Sequence, residues 1–242
     1  MAEKILQIQS KDYLRRKLLP HKGREWRESW TKETTDKLLV LPIAFIGLVP
    51  ALIIAYKINK EDNGDIYYKD QRVGRDGEIT VNKFRSMKPG SNSTQTSLRY
   101  YEQFTNDNDD RLTRIGRIIR QIDIDEFPQV FQILSGELSL VEFRAIEQQA
   151  INNLKEIMLD EEFNNWLSKK FIGKQGVYDP SVGRVNNPRS DLERIPFQLD
   201  YAENASLLKD IGIYFYINLL ILNKIVKKIR RGIKKRTVLE TD

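Results

Sequence analysis

The 242-residue chain is long enough for one or two domains with a sizeable core, and its 40% apolar and 31% charged composition argues against wholesale disorder. It has no cysteine and one histidine, which excludes disulfides, iron–sulfur clusters and thiol nucleophiles and argues against a serine–histidine–aspartate triad. Its net charge of +6 favours partners that carry phosphate: nucleic acid, an anionic membrane face or a phosphorylated small molecule.

The first segment, residues 1–33, is predicted to be a polar, basic N-terminal extension without the features of a secretory signal. Within it, residues 11–22 leave two interpretations open. They form either a short basic helix that lies on a membrane or a partly ordered tail.

An apolar segment follows, in which residues 38–56 contain no charged side chain. This length is sufficient to cross a bilayer core, but Pro50 lies in the middle and should break or bend the helix. Lysines flank both ends, so the positive-inside tendency gives no reason to translocate the N-terminal arm. We therefore expect a re-entrant membrane helix over residues 34–60 that is broken at Pro50. A spanning helix and a buried core helix remain as alternatives.

The segment of residues 61–210 is predicted to be the catalytic domain, of α+β class, mostly helical and cytosolic, with a small β-hairpin. Residues 65–87 are β-rich around an Asp76-Gly77 turn signal, and 88–97 form a polar loop. Arginines at 111, 114, 117 and 120 predict one helix face, and further helices are expected over 128–135, 147–171 and 200–236. Residues 173–196 should be mostly loop.

The C-terminal segment, residues 211–242, combines a 12-residue apolar run, Ile211 to Leu222, with eight Lys or Arg between Lys224 and Arg236. This pattern favours a helix at the membrane interface, with anionic lipids as partners. A core helix followed by a solvated basic tail is the alternative.

The strongest candidate for chemistry is the adjacent carboxylate pair Asp125 and Glu126, directly before the helix that Pro128 begins. Adjacent carboxylates suit a hard cation shared with phosphate oxygens, and a carboxylate can also attack phosphorus to form an acyl phosphate. From these residues alone, a helix cap with an acidic first turn is the better-supported interpretation.

A second candidate is a cluster of cations. Lys83 and Arg85 alternate along one strand, Arg72 lies on the partner strand, and the arginine series ends at Arg120. Together they are suited to bind a diphosphate or a triphosphate, although a solvated charged face is the simpler interpretation. No Walker-type loop or Rossmann glycine motif is present, and no helix-turn-helix supports DNA binding.

Several motifs in one order give the chain a family resemblance, from about residue 34 to 226. They are the proline-broken apolar segment, Gln71-Arg72-Val73-Gly74, Lys83-Phe84-Arg85-Ser86-Met87, the 111–120 arginine series, Asp125-Glu126-Phe127-Pro128-Gln129 and residues 134–141. With these motifs the chain resembles the bacterial monotopic polyprenyl-phosphate phosphoglycosyl transferases, the "sugar transferase" family.

The resemblance implies transfer of a sugar 1-phosphate from a nucleotide diphosphate sugar, usually a UDP sugar, to undecaprenyl phosphate. It implies Mg²⁺ at Asp125 and Glu126, with Asp125 as the nucleophile that becomes phosphoglycosylated. Arg72, Lys83, Arg85, Arg120 and Arg144 are assigned to the substrate phosphates. The implied location is the bacterial cytoplasmic membrane, with the active site on the cytoplasmic face and no nucleic acid as a partner.

Two segments depart from the family pattern. Glu142-Phe143-Arg144-Ala145 replaces Gly-Pro-Arg-Pro, and residues 174–184 are a degraded form of a Pro-Gly-Ile-Thr-Gly loop that leads to Gln-Val-x-Gly-Arg. These departures leave the identity of the donor open. Two alternatives to such an enzyme remain: a non-catalytic membrane scaffold related to this family, and a soluble basic protein that binds nucleic acid.

Overall fold

The computed structural model describes residues 22–91, 109–185 and 190–239. The basic segment over 11–21, which includes His21, and residues 92–97 of the expected loop lie outside these ranges. The N-terminal half contains two helices and a hairpin: α1 (Lys22–Arg27), α2 (Trp30–Asp62), β1 (Tyr67–Gly74) and β2 (Gly77–Phe84).

The C-terminal half is mainly helical. Its elements are α3 (Arg114–Arg120), a 3₁₀ turn (Ile124–Glu126), α4 (Gln129–Ser135), β3 (Ser139–Val141), α5 (Gln148–Ile157), α6 (Asp160–Lys170), β4 (Gly176–Tyr178), α7 (Asp191–Asn204) and α8 (Leu207–Leu239). The mixed fold with a small antiparallel hairpin and a preponderance of helix confirms the predicted α+β class.

Helix α2 is the apolar segment, and it is longer than expected. Ser29 caps its N-terminus by accepting a hydrogen bond from the Lys32 amide, and Asn63 ends it in the left-handed conformation. Pro50 lies inside the continuous helix, so a break at this residue is not seen. In the described part of the chain, α2 is the one helix long and apolar enough to cross a membrane.

The side of α2 that faces away from the domain is strongly apolar. Val40, Ala51 and Ile58 are buried against the domain, whereas many large apolar side chains on other faces are exposed. These are Leu38, Leu41, Phe45, Ile46, Leu48, Val49, Leu52, Ile53 and Tyr56. An exposed apolar surface of this extent is typical of contact with a membrane or a partner.

The hairpin forms as predicted. β1 and β2 pair antiparallel from Tyr67–Phe84 to Gly74–Gly77, and the two-residue loop of Arg75 and Asp76 closes the ladder. Gly77 has φ +126°, a conformation that favours glycine.

The C-terminal half differs from the sequence prediction in three boundaries. The helix expected over 147–171 is split because Met158 and Leu159 have extended backbone angles. The expected loop over 173–196 contains β4, which pairs in parallel with β3, and the first turns of α7. Another break, at residues 205–206, separates α7 from α8.

The segments predicted as extensions at either end contribute to one core. Arg27 of α1 is buried and donates two hydrogen bonds to Glu142, at 2.6 and 2.7 Å. From α8, Ile213 and Ile217 are buried in the same apolar cluster as Phe143 and Trp166. Residues on both sides of the predicted limits at 33 and 210 thus pack in the same core.

A buried polar node fastens the start of α2 to the domain. The Lys32 ammonium lies 2.5 Å from Asp36 Oδ1 and 3.1 Å from Asp210 Oδ2. Asp36 Oδ2 accepts hydrogen bonds from the Ser139 hydroxyl and the Leu140 amide, so α2, β3 and α8 meet at this node. Removing one partner of such a buried network leaves other charges unpaired.

We therefore expect Asp36→Ala to lower the free energy of unfolding by about 3 kcal/mol, because Lys32 loses its nearest carboxylate and the β3 donors lose their acceptor. Glu33→Ala is the matched control. Its side chain is 42% exposed and pairs with Lys37 and Lys174, so its loss should cost less than about 1 kcal/mol. Thermal unfolding of the detergent-solubilised protein measures both, and equal destabilisation would contradict the assignment.

Candidate active site

Asp125 and Glu126 lie in the 3₁₀ turn of residues 124–126, which we call the dyad turn. Asp123 precedes it with φ +55°, in the left-handed region that Asp tolerates better than most residues, and α4 follows within three residues. The dyad turn packs against β2 and α3. Both carboxylates are partly buried, so they are held at the edge of the domain rather than in free solvent.

Glu126 is held by two cations from different parts of the chain. Its Oε1 lies 3.2 Å from the Lys83 ammonium on β2 and is also contacted by the Arg144 guanidinium. Burial by itself would raise the pKa of Glu126, but the charges of Arg144 and Lys83 lower it to about 2. Glu126 is therefore a fixed negative charge across the physiological pH range.

Asp125 is in a different state from its neighbour. Among the residues that the structure describes, its carboxylate has no hydrogen-bond or ion-pair partner. Burial, together with the adjacent Glu126 charge, raises its pKa to about 6, although Lys83 and Arg120 act in the opposite direction. Asp125 thus combines a carboxylate that is largely ionised at pH 7 with oxygens that are available to a ligand.

Beyond Lys83, the ion pairs continue along the hairpin. Lys83 lies 3.9 Å from Asp70, Asp70 pairs with Arg72 at 2.6 Å, and Arg72 lies 3.3 Å from Glu147. With Glu126 and Arg144, this gives a series of alternating charges, here called the ion chain. It contains three of the five cations predicted to bind phosphate.

The other two predicted cations are placed differently. Arg120 donates from Nε to the Ser86 hydroxyl at 2.7 Å, and its charge acts on Asp125. Arg85 is turned towards the end of α2, where its Nη1 donates to Asp62 Oδ2 at 2.6 Å. The structure therefore brings Lys83, Arg120 and Arg144 to the dyad turn, whereas Arg85 pairs with Asp62 at the end of α2.

The arginine series divides at the start of α3. Thr113 is the N-cap, so Arg114, Arg117 and Arg120 are helical but Arg111 is not. Arg111 instead pairs with Asp109 at 2.8 Å, and the expectation of four guanidinium groups on one helix face is wrong for this residue. A polar residue with capping ability at 113 was the sequence signal for this boundary.

Some residues at this site were missed by the sequence analysis. Asp70 and Glu147 complete the ion chain, and Lys224 of α8 pairs with Asp123 next to the dyad turn. The alternation of Asp70 with Arg72 along β1 was a usable signal. No local pattern connects residues 123 and 224.

Helix α2 comes close to the site at Gly47. A Cβ placed on Gly47 of α2 would lie 2.1 Å from the ring of Phe127, the residue after Glu126. Phe127 is buried and packs edge-on against Phe131, with ring centroids 5.9 Å apart. The absence of a side chain at 47 thus lets α2 lie directly against the end of the dyad turn.

The residues at the dyad turn fit one mode of Mg²⁺ binding. In the described ranges, no group of three or more Asp, Glu or His is arranged to hold a metal ion. Mg²⁺, however, is commonly held by one or two carboxylates together with substrate phosphates and water. Asp125 has available oxygens and Glu126 adds a second charge, so the dyad suits a cation that arrives with a phosphate ligand.

We expect Gly47→Ala to lower the melting temperature, because the added methyl group overlaps Phe127 and such overpacking costs about 1–3 kcal/mol. Gly212→Ala in α8 is the matched control, since no atom lies within 4 Å of the Cβ it would add. That change should leave the melting temperature equal or slightly higher. Equal loss in both variants, measured by thermal unfolding, would rule out the close contact.

Comparison with known proteins identifies the family of the chain. The family model described as "Bacterial sugar transferase" matches residues 27–224. An "Uncharacterized sugar transferase" of Haemophilus influenzae is 34% identical over 204 residues, which cover 80% of this chain and 41% of the relative. A "UDP-glucose:undecaprenyl-phosphate glucose-1-phosphate transferase" of Xanthomonas campestris is 31% identical over 188 residues, 75% of this chain and 37% of the relative.

A relative of more similar length is the "Exopolysaccharide production protein ExoY" of Sinorhizobium fredii, 28% identical over 76% of this chain and 82% of that protein. The chain spans less than half the length of the first two relatives. The match of the family model to most of the chain establishes that the protein belongs to the bacterial sugar transferase family.

Proposed function

We propose that the protein transfers a sugar 1-phosphate from a nucleotide diphosphate sugar, with UDP as the nucleotide, to undecaprenyl phosphate, and so initiates polysaccharide or glycoconjugate biosynthesis. The observation that carries this proposal is the pairing of an available carboxylate, Asp125, with a neighbour, Glu126, whose charge is fixed by Lys83 and Arg144. The names of several relatives, among them the UDP-glucose:undecaprenyl-phosphate glucose-1-phosphate transferase, specify UDP sugars and undecaprenyl phosphate and support the substrate class.

In the first step, an Asp125 carboxylate oxygen attacks the β-phosphorus of the donor. A bond from this oxygen to phosphorus forms, and the bond between the β-phosphorus and the bridging oxygen breaks, so that uridine monophosphate leaves. In the second step, a phosphate oxygen of undecaprenyl phosphate attacks the same phosphorus and displaces Asp125. The nucleophile is an ionised oxygen in both steps, the Asp125 carboxylate in the first and the lipid phosphate in the second, so neither step requires a histidine as general base.

The remaining charges of the site have separable roles in this scheme. Arg120 and Lys83 act on Asp125 and supply positive charge next to the reacting phosphate. Arg144 holds Glu126 in place. A bound Mg²⁺ would be held by Asp125, Glu126 and the donor diphosphate, and would neutralise part of the phosphate charge.

We further propose that α2 does not cross the membrane but is embedded in its cytoplasmic leaflet, with both helix ends on the cytoplasmic side; because the helix is continuous through Pro50, this arrangement does not depend on a break there. The start of α2 is fixed to the domain by the buried Lys32 node, and Arg114 and Ile115 donate backbone hydrogen bonds to Glu61 near its end. A helix with both ends bound to one domain does not place them on opposite sides of a bilayer. In this arrangement the exposed apolar side chains between the ends meet the lipid of the cytoplasmic membrane.

The C-terminal helix is proposed as a second membrane contact, with anionic lipids as its ligand. Leu208, Phe215, Leu219 and Leu222 of α8 are exposed, whereas Ile213 and Ile217 are buried in the domain. The basic run that follows from Lys224 would lie at the headgroups if these side chains enter the interface.

The catalytic proposal predicts that Asp125→Asn lowers turnover by about 10³-fold or more, because the amide lacks the ionised oxygen. Glu126→Gln should reduce turnover less and weaken its Mg²⁺ dependence. Glu156→Gln, an exposed position on α5, is the control and should be unchanged. Release of uridine monophosphate from UDP sugars with undecaprenyl phosphate is the measurement. If the unmutated protein turns over no common UDP sugar, the non-catalytic scaffold becomes the better account.

The topology predicts that single cysteines at positions 25 and 60 are both shielded from a membrane-impermeant thiol reagent in intact cells. The wild-type chain contains no cysteine, and both positions are exposed on the domain. Lysed cells provide the control in which both are labelled. Labelling of one position in intact cells would mean that α2 crosses the membrane.

The lipid proposal predicts that replacing the seven Lys and Arg after Lys224 with Gln weakens binding to anionic vesicles by about tenfold or more, since each cation near such a surface contributes about 1 kcal/mol. Lys224 is retained because it pairs with Asp123. Vesicle sedimentation should show little change with neutral lipid. Unchanged binding to phosphatidylglycerol vesicles would refute the contact.

A further inference from the structure

The backbone of Arg144 is held from both sides by buried charged side chains. The Arg144 amide donates to Asp179 Oδ2 at 3.1 Å, and the Lys170 ammonium donates to the Arg144 carbonyl at 2.7 Å. Asp179 is 1% exposed and Lys170 is fully buried. Asp179 and Lys170 thus each form a hydrogen bond with the backbone of Arg144, and the side chain of Arg144 contacts Glu126.

Asp179 is itself fixed by three further donors. Its Oδ1 accepts hydrogen bonds from the amide and the hydroxyl of Ser181, at 2.9 and 2.5 Å. Its Oδ2 also accepts from the side-chain amide of Gln198 at 2.7 Å, and Trp166 orients that amide by donating to Gln198 Oε1. A carboxylate with this many donors has one position, so the Arg144 amide that it binds is placed accurately.

Lys170 is a costly residue to bury. Within the described ranges, no carboxylate lies at ion-pair distance from its ammonium, which lies over the Trp166 ring at 5.4 Å. Burial lowers the pKa of Lys170 to about 8. An apolar side chain of similar length would avoid this cost but would lose the hydrogen bond to the Arg144 carbonyl.

We propose that Asp179 and Lys170 are positioning residues that fix the main chain of Arg144 so that its guanidinium is held against Glu126. This inference rests on the proposed function, because it assigns to these residues an effect on turnover that passes through Arg144. Neither residue contacts the dyad. Their effect on catalysis should therefore depend on the presence of the Arg144 side chain, whereas a general contribution to stability would not.

A double-mutant cycle tests this dependence. Asp179→Asn and Lys170→Met should each lower kcat about tenfold and change the donor KM by less than about threefold. In an Arg144→Ala background the same changes should lower kcat by less than about twofold further. Lys169→Ala is the control, since the Lys169 ammonium pairs with Glu203 rather than with the backbone of Arg144. An undiminished tenfold loss in the Arg144→Ala background would overturn the proposal.

A second measurement does not require turnover. The Arg144 side chain is 32% exposed while it contacts Glu126, so an arginine-selective dicarbonyl reagent should modify it slowly. Asp179→Asn should increase this rate about fivefold or more, and Lys169→Ala should not. Arg85, which pairs with Asp62 at the end of α2, is the reference residue. Faster modification of Arg85 in a variant would indicate that the whole fold has loosened.

Peptide mass spectrometry gives both rates in this modification experiment. Equal modification of Arg144 in the wild type and Asp179→Asn would overturn the proposal even if the protein proves inactive. Absence of turnover by the wild type, with the expected change in Arg144 modification, would count against the proposed function alone.

Discussion

The partly buried carboxylate of Glu126 is the constraint on which the rest of the site depends. Burying a carboxylate is costly unless cations and hydrogen bonds compensate, and here the cations come from two distant parts of the chain, Lys83 on β2 and Arg144 after β3. The hairpin, the dyad turn and the 142–145 segment must therefore come together for the site to form. Because both cations contact Glu126, the adjacent Asp125 keeps oxygens that are available to a ligand.

Helix α2 has two functions in this account, as a membrane element and as part of the site's support. Its ends are fixed to the domain by Lys32 and Glu61, and its middle contacts Phe127 through Gly47. A site that acts on a soluble donor and a lipid phosphate must lie near the headgroup plane. In the proposed arrangement of α2 in the membrane, the contact between Gly47 and the dyad turn meets this requirement without a separate linker.

Much of the site was predictable because its key residues are near one another in sequence or follow a strand period. The Asp76-Gly77 turn signal gave the hairpin, which places Lys83, and the Asp125-Glu126 pair stands next to a proline that begins a helix. The partners of these residues were harder to predict from the sequence, since tertiary packing alone brings Glu126 and Arg144 together. Lys224 and Asp123 are 101 positions apart, and no local pattern links them.

The failures have similar physical causes. Thr113 caps α3, so Arg111 lies outside the helix. The three-residue period of the arginines predicted one helix that included Arg111, because it took no account of this cap. Arg85 alternates with Lys83, yet Asp62 at the end of α2 binds its guanidinium, so its contact with a substrate phosphate stays a prediction. The continuous helix at Pro50 shows that a missing backbone hydrogen bond alone does not set a helix boundary when both halves are packed.

The central claim is that Asp125 forms a covalent bond to the transferred sugar phosphate, and intact-protein mass spectrometry tests it most directly. The protein is incubated with Mg²⁺ and a UDP sugar that it turns over, without any lipid acceptor. The account predicts an added mass equal to one sugar phosphate, located on the peptide that contains Asp125, with one uridine monophosphate released per active site. Turnover that requires lipid, with no added mass and no release of nucleotide in its absence, would contradict it.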